Sequence, residues 1–203
     1  VTALGVLSAM HACVAEWFGT RDLAGIRVCV VGLGHVGYEL ARLLSDAGAE
    51  LSVSDIDPER RVAAERLGAA WIEPGDAVFS ECDVLAPCAL GGAIGPVEAE
   101  GMRAAVVCGA ANNVLTDDTV ATALARRGIL YAPDFVANAG GLISVYGELR
   151  RLPHERALEL AEGIEGSMHR VLDAARTEGV LPLEAARRVA LARLEGAALT
   201  PAA

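Results

Sequence analysis

The sequence predicts an α/β chain: a doubly wound, mostly parallel sheet with helices on both faces and helices appended at its N- and C-terminal ends. Three observations lead there. Ile26 to Val31 is a continuous apolar, β-branched run, the pattern of a strand buried on both faces of a parallel sheet. A glycine-rich turn joins that run directly to a helical segment. Further short apolar runs then alternate with helical or glycine-rich stretches as far as residue 140, after which the periodicity is purely helical.

The elements follow in order. Leu4, Leu7, Met10, Val14 and Trp17 or Phe18 recur at helical spacing ahead of Gly19, so residues 1–18 read as an amphipathic opening helix with a glycine cap. After the first strand, Val36 to Ala47 is helical and Gly48 ends it. Leu51 to Ser54 forms a second strand. Pro58 is placed as the first residue of a helix reaching Leu67. Strand candidates come next at Ala69 to Ile72, Val84 to Pro87, Ala104 to Gly109 and Ile129 to Tyr131. Ala157, Leu160, Ala161, Ile164, Met168, Val171, Leu172 and Ala175 trace one helical stripe ending near Gly179, and a last helix runs from about Pro182 to Leu194. No internal repeat, low-complexity linker or charge block marks a second complete domain, so 1–203 reads as one domain with 152–203 as closing helices.

Composition narrows the function. At 203 residues and 53% hydrophobic content the chain can bury a proper core. A formal charge of -10 opposes nucleic-acid binding, because no basic stripe is available to displace counterions. A small-molecule ligand fits better. Five cysteines, an odd number without C-x-x-C spacing, read as reduced, core-packing thiols of a cytoplasmic protein. No apolar span of membrane-crossing length occurs, and His11, His154 and His169 are too scattered for a metal site, so neither a membrane nor a metal is expected.

Gly32-Leu-Gly-His-Val-Gly37 is G-x-G-x-x-G in the required context, strand before and helix after. Gly32 permits the tight turn, Gly34 lets backbone approach a pyrophosphate, and Gly37 lets the helix pack closely on the strand. The helix start offers free N–H groups and partial positive charge. Alone this motif is weak, since methyltransferases use related loops. The second strand sharpens it: Asp55 follows Leu51-Ser-Val-Ser54, where a carboxylate can accept both hydroxyls of an adenosine ribose. A 2′-phosphate at Asp55 would meet repulsion of about 1 kcal/mol in water, rising to roughly 4 at the effective dielectric of a protein surface. The expected cofactor is therefore NAD rather than NADP. Arg60 and Arg61 could rescue a phosphate or simply be solvated surface charges. His35 could touch the pyrophosphate or be an exposed residue at the helix start.

Several strings together resemble the glutamate/leucine/phenylalanine/valine dehydrogenases, most of all the leucine, phenylalanine and valine branch. They are Thr2-Ala-Leu-Gly-Val6, the glycine loop, Cys82-Asp-Val-Leu-Ala-Pro-Cys-Ala-Leu-Gly-Gly92, Gly109-Ala-Ala-Asn-Asn113 and Tyr131-Ala-Pro-Asp-Phe-Val-Ala-Asn-Ala-Gly-Gly141. The resemblance implies a Rossmann-type nucleotide-binding domain and NAD-dependent oxidative deamination of an L-amino acid to a 2-oxo acid and ammonia. It places Thr2 at the nicotinamide carboxamide, Leu33, Gly34, His35, Val36 and Gly37 at the pyrophosphate, and Asp55 with Ile56 at the adenosine ribose. Ala89 and Leu90 would lie against the cofactor, Ala110 and Ala111 would line the nicotinamide ribose, and Asn138 would orient the ring. Asn112 would meet both cofactor and substrate, and Leu142 with Val145 would size the substrate side chain. Read without the resemblance, Asn112-Asn113 also suits a turn, Asn138 a cap, and Leu142 and Val145 a core.

His35 departs from the asparagine or small residue commoner in the family. A larger departure concerns catalysis. Deamination needs a group to take protons from the amine and activate water, and the family uses a lysine of lowered pKa with an aspartate, both in an amino-terminal domain. All 17 basic residues here are arginines. The expectation is thus a cofactor half without catalytic residues of its own, inactive alone, with 1–18 as the helix crossing from a missing catalytic domain and the full-length protein a homo-oligomer. The competing expectation is a non-catalytic NAD(H)-binding regulatory module.

Overall fold

The computed structural model describes residues 1–198, with side chains described through Glu195. The last five positions of the expected closing segment lie outside the described residues. Six parallel strands form one sheet in the spatial order β3-β2-β1-β4-β5-β6, built from β1 (Arg27–Val31), β2 (Glu50–Ser54), β3 (Ala70–Trp71), β4 (Val84–Pro87), β5 (Val106–Val107) and β6 (Leu130–Tyr131). The order reverses between β1 and β4. There the connections leave in opposite directions and open a crevice at the carboxyl ends of the strands.

Both faces are covered, so the central strands are apolar at successive positions rather than alternately, as in Val28–Val31 of β1 and all of β4 and β5. Val28 and Val30 of β1, Val84 and Ala86 of β4 and Val106 of β5 pack into one core, with α1 (Thr2–Phe18), α2 (His35–Asp46) and α9 (Ile164–Glu178). The intervening Cys29, Leu85 and Val107 face the other core, with α4 (Pro96–Gly101) and α5 (Asp118–Arg126). The expected strands all form, three of them reduced to residue pairs. Cys13, Cys29, Cys82 and Cys108 are buried free thiols and Cys88 is half-buried.

Three helical readings need correction. The opening helix is not amphipathic: Ala3, Gly5, Val6, Ala9, Met10, Ala12, Cys13 and Val14 are buried around most of its circumference, whereas Trp17 and Phe18 are exposed. Its small residues allow neighbours to come close from several sides. A Cβ at Gly5 would lie 2.6 Å from Ile164 Cδ1 of α9. Secondly, the long stripe from Ala157 is two helices, α8 (His154–Glu162) and α9, meeting at Gly163. The apolar phase carries across the break because Ala161, Ile164 and Met168 still face the core. Thirdly, Pro58 opens a single 3₁₀ turn, Pro58–Arg60, ahead of a short α3 (Arg61–Arg66). Short α6 (Asp134–Ala137) leads into α7 (Gly140–Arg150), and α10 (Pro182–Ala198) extends beyond the expected Leu194.

Two local devices fix the strands that carry the crevice. Gly37 sits on the first turn of α2 against the β1 turn, and a Cβ there would lie 1.9 Å from the Gly32 carbonyl oxygen. Asp83, just before β4, accepts the Arg27 backbone N–H at 2.9 Å and the Arg27 guanidinium at 2.7 Å, while its carbonyl accepts the Val106 N–H at 3.0 Å. One residue thereby sets the starts of β1, β4 and β5. The Arg27 guanidinium holds the Asp83 carboxyl below the usual carboxylate range.

A depressed folded-state pKa stabilises the fold above the ordinary carboxylate value, and that contribution is lost as pH falls through the folded value. Asp83→Asn is therefore expected to be less stable than the parent at pH 6, with the gap closing on acidification toward pH 2, measured by denaturant unfolding across that range. For Gly37→Ala, relief of the backbone overlap should cost about 1–3 kcal/mol and lower the thermal midpoint by roughly 3–10 °C. A melting curve unchanged within a degree would contradict that packing.

Candidate functional site

The crevice holds a cavity of about 570 Å³ lined by the β1 turn, the end of β2 and the loop after β4, among them Gly32, Gly34, Asp55, Ile56, Ala89 and Leu90. These six residues were expected in the site, and the fold gathers them from three separate segments. The sequence reading did not single out Pro74, Cys88 or Gly91, which also line it. Gly91 could have been found, since Ala89-Leu-Gly-Gly92 repeats the glycine-rich character of the first turn; Pro74 carries no such signal.

Gly32 takes φ 102°, a left-handed conformation, and a Cβ on it would lie 2.8 Å from both the Ala89 backbone nitrogen and Cβ. The two loops therefore touch. Gly34 is the N-cap of α2, no side chain caps the helix, and a Cβ there would meet nothing within 4 Å. The helix thus presents unpaired backbone N–H groups to open space, as an anion requires. His35 is exposed at the first position of α2, Val36 is half-buried, and Leu33 is buried in the core.

Asp55 is half-buried at the carboxyl end of β2. Its Oδ2 accepts the Leu33 N–H at 2.6 Å and its Oδ1 accepts the Asp57 N–H at 2.9 Å. These bonds lock the carboxylate against the glycine loop and leave each oxygen a further lone pair. Leu33 thereby contributes through its backbone, as the partner that orients Asp55. Ile56 and Leu90 are large apolar side chains left 87% and 82% exposed on the cavity lip, where a flat apolar ligand could cover them. Burial pushes the Cys88 thiol up to about 12, so it lines the cavity as a neutral group.

A second cluster continues from this one. A Cβ on Gly91 would lie 2.5 Å from the Asn112 carbonyl oxygen, and the Gly92 N–H donates to the Asn113 carbonyl at 2.7 Å. Asn113 takes φ 50°, and the Asp134 carboxylate accepts the Val114 N–H at 3.0 Å, fixing the turn after β5. Asn138 Nδ2 donates to Asn112 Oδ1 at 2.6 Å and to the Ala111 carbonyl at 3.3 Å. Asn112 is exposed and Ala110 half-buried. The N-terminus of α7 in turn packs on the N-terminus of α1: a Cβ on Gly140 would lie 2.8 Å from Thr2 Cα, and one on Gly141 3.8 Å from Thr2 Oγ1. Leu142 and Val145 project into solvent one turn along α7, 75% and 54% exposed, rather than into the domain's core.

The glycine loop, the open helix start and the carboxylate at the end of β2 fit a dinucleotide. Gly34, His35 and Val36 would meet the pyrophosphate through backbone, Asp55 would hold the adenosine ribose, and Ala110, Ala111, Asn112, Asn138 and Thr2 lie toward the other end. Among the described residues no three His, Cys, Asp or Glu side chains cluster as a metal centre would, and no helix is long and apolar enough to cross a membrane.

Comparison with known proteins agrees with this geometry. The family model described as Glutamate/Leucine/Phenylalanine/Valine dehydrogenase matches residues 57–200, and that of the D-isomer specific 2-hydroxyacid dehydrogenase NAD binding domain matches residues 9–90. The chain is 42% identical to leucine dehydrogenase of Bacillus subtilis (strain 168), over 96% of its own length and 54% of the relative's. It is 38% identical to L-tryptophan dehydrogenase of Nostoc punctiforme (strain ATCC 29133 / PCC 73102), over 96% and 56% respectively. The crystal structure of L-tryptophan dehydrogenase from Nostoc punctiforme superposes with a TM-score of 0.93 at 37% identity, covering 96% of this chain and 60% of that one. The chain thus spans about half the length of the curated relatives it matches. A parallel sheet in this order, a glycine notch facing a fixed aspartate, and these matches identify an NAD-binding chain that belongs to the glutamate/leucine/phenylalanine/valine dehydrogenase family.

Proposed function

We propose that the chain holds NAD along the crevice between β1 and β4 and presents it to an L-amino acid with an aliphatic or aromatic side chain, for reversible oxidative deamination to the 2-oxo acid and ammonia. The observation that carries this reading is continuity. A line of close contacts runs from Asp55 and Gly32 through Ala89 and Gly91 to Asn112 and Asn138, ending beside α7 and Thr2. Such a track suits an extended ligand, charged in its middle and amide-bearing at one end.

Bound NAD would supply the acceptor for a hydride from the substrate's α-carbon. This chain's part is to place that ring. Ala110 and Ala111 allow backbone to approach a flat face, and the Asn112–Asn138 amide pair offers donors and acceptors without net charge. Either amide can meet a carboxamide or a substrate carboxylate. Leu142 and Val145, exposed on one face of α7, give an apolar surface for a substrate side chain. The lysine that the resemblance implies as catalytic base has no counterpart here, because the 203 residues include no lysine. The reading therefore draws the proton-handling group from another domain, across the crevice, whose closure would exclude water. Assembly into a homo-oligomer belongs to the same reading.

Titration with NADH should show saturable binding to residues 1–203 in the micromolar to millimolar range, by order of magnitude. Asp55→Ala should weaken NADH about tenfold and narrow its advantage over NADPH. Equal affinity for the two nucleotides both before and after the change would remove Asp55 from the site. For the reaction itself, the full reading frame should reduce NAD with leucine, valine or phenylalanine faster than with glutamate, followed at the absorbance of the reduced cofactor. Nucleotide binding with no turnover of any of the four would instead identify a regulatory binding module.

A further inference from the structure

Asp55 alone does not settle which nucleotide this crevice prefers, since two arginines follow it within six residues and either could neutralise a 2′-phosphate. The structure shows where those arginines go. Arg60 lies on the 3₁₀ turn with its Nε 3.6 Å from Asp57 Oδ2. Arg61 turns toward β3: its guanidinium pairs with the Glu73 carboxylate, and its central carbon stands 5.0 Å from the centroid of the Trp71 ring.

The position of that pair matters. Trp71 is registered opposite Val53, two residues before Asp55, and the Ile72 N–H donates to the Val53 carbonyl at 2.8 Å. Glu73 directly precedes Pro74, which lines the cavity together with Asp55 and Ile56. Arg61 is therefore drawn onto the outer edge of the sheet, beside the ribose end of the crevice. A planar guanidinium satisfied on one edge by a carboxylate and on its face by an indole has two attractive contacts to leave before it can reach a phosphate.

We propose that Glu73 and Trp71 form a latch that holds Arg61 away from the adenosine 2′ position, so that discrimination against a 2′-phosphorylated dinucleotide is set jointly by Asp55 and by this latch. The inference rests on the reading of Asp55 as the ribose-binding residue. The Arg61–Glu73 pair is exposed and the Trp71 ring half-buried, each contact being individually modest, so the expected effect is a shift in preference rather than a reversal.

The test uses the 203-residue chain and separate fluorescence titrations with NADH and NADPH. Glu73→Ala should strengthen NADPH binding about fivefold and leave NADH within twofold, with the melting midpoint little changed. The same change removes a negative charge, which by itself would favour a phosphate. Arg61→Ser added to Glu73→Ala separates the two causes: the gain should disappear in the double variant. An unchanged NADPH to NADH ratio in Glu73→Ala, or a gain that persists without Arg61, overturns the latch while leaving the cofactor site intact. Failure of the parent chain to bind either nucleotide overturns the latch and the underlying site together.

Discussion

The absence of one carbon atom at Gly37 governs much of this architecture. A Cβ there would fall inside the Gly32 carbonyl, so any other residue would push α2 off the end of β1. With glycine the helix begins after only three residues beyond the end of β1, and no side chain caps its first N–H groups. Gly32 extends the same constraint sideways, since its own missing Cβ is what allows Ala89 and the β4 loop to lie against it. The notch, the crevice and the contact between the two loops are consequences of backbone packing against backbone.

That packing would be of little use without rigid strand ends. Asp83 ties the starts of β1, β4 and β5 with one carboxylate and one carbonyl. At the opposite ends of these strands Asp55 and Asp134 do comparable work, each accepting a backbone N–H from a loop that follows another strand. An aspartate is suited to this because its short side chain reaches one residue away from its own strand and holds an N–H with little rotamer freedom to lose. The net negative charge of the chain is thus partly structural. Its surface partners are arginines, in pairs such as Arg21 with Glu165 and Arg187 with Asp118, which bind carboxylates at two points.

Much of the fold was legible because local signals agreed. β-branched runs, glycine stops and the G-x-G-x-x-G spacing all pointed to strands and helices in alternation, and each expected strand is present. The opening helix departs from its periodicity for a physical reason. Periodicity assigns one wet face to a helix, but α1 is surrounded by the sheet, α2, α7, α8 and α9, and what its sequence encodes is small size on several sides. The break at Gly163 was hidden because the apolar phase continues across it, and Pro74 entered the cavity wall through the course of the chain after β3 rather than through any motif.

By itself the sequence determined the parallel α/β class, the notch and the acidic residue that follows it, because each depends on contacts a few residues apart or on a glycine that no other residue can replace. Only the tertiary structure decided that Asp55 closes on the Leu33 N–H, that Asn138 reaches Asn112, that Thr2 lies beside Gly140, and that Arg61 rests on Trp71. Those pairs are separated by 10 to 138 positions along the chain, and no local preference encodes a meeting that arises from how parallel strands are ordered and how their helices return across the sheet.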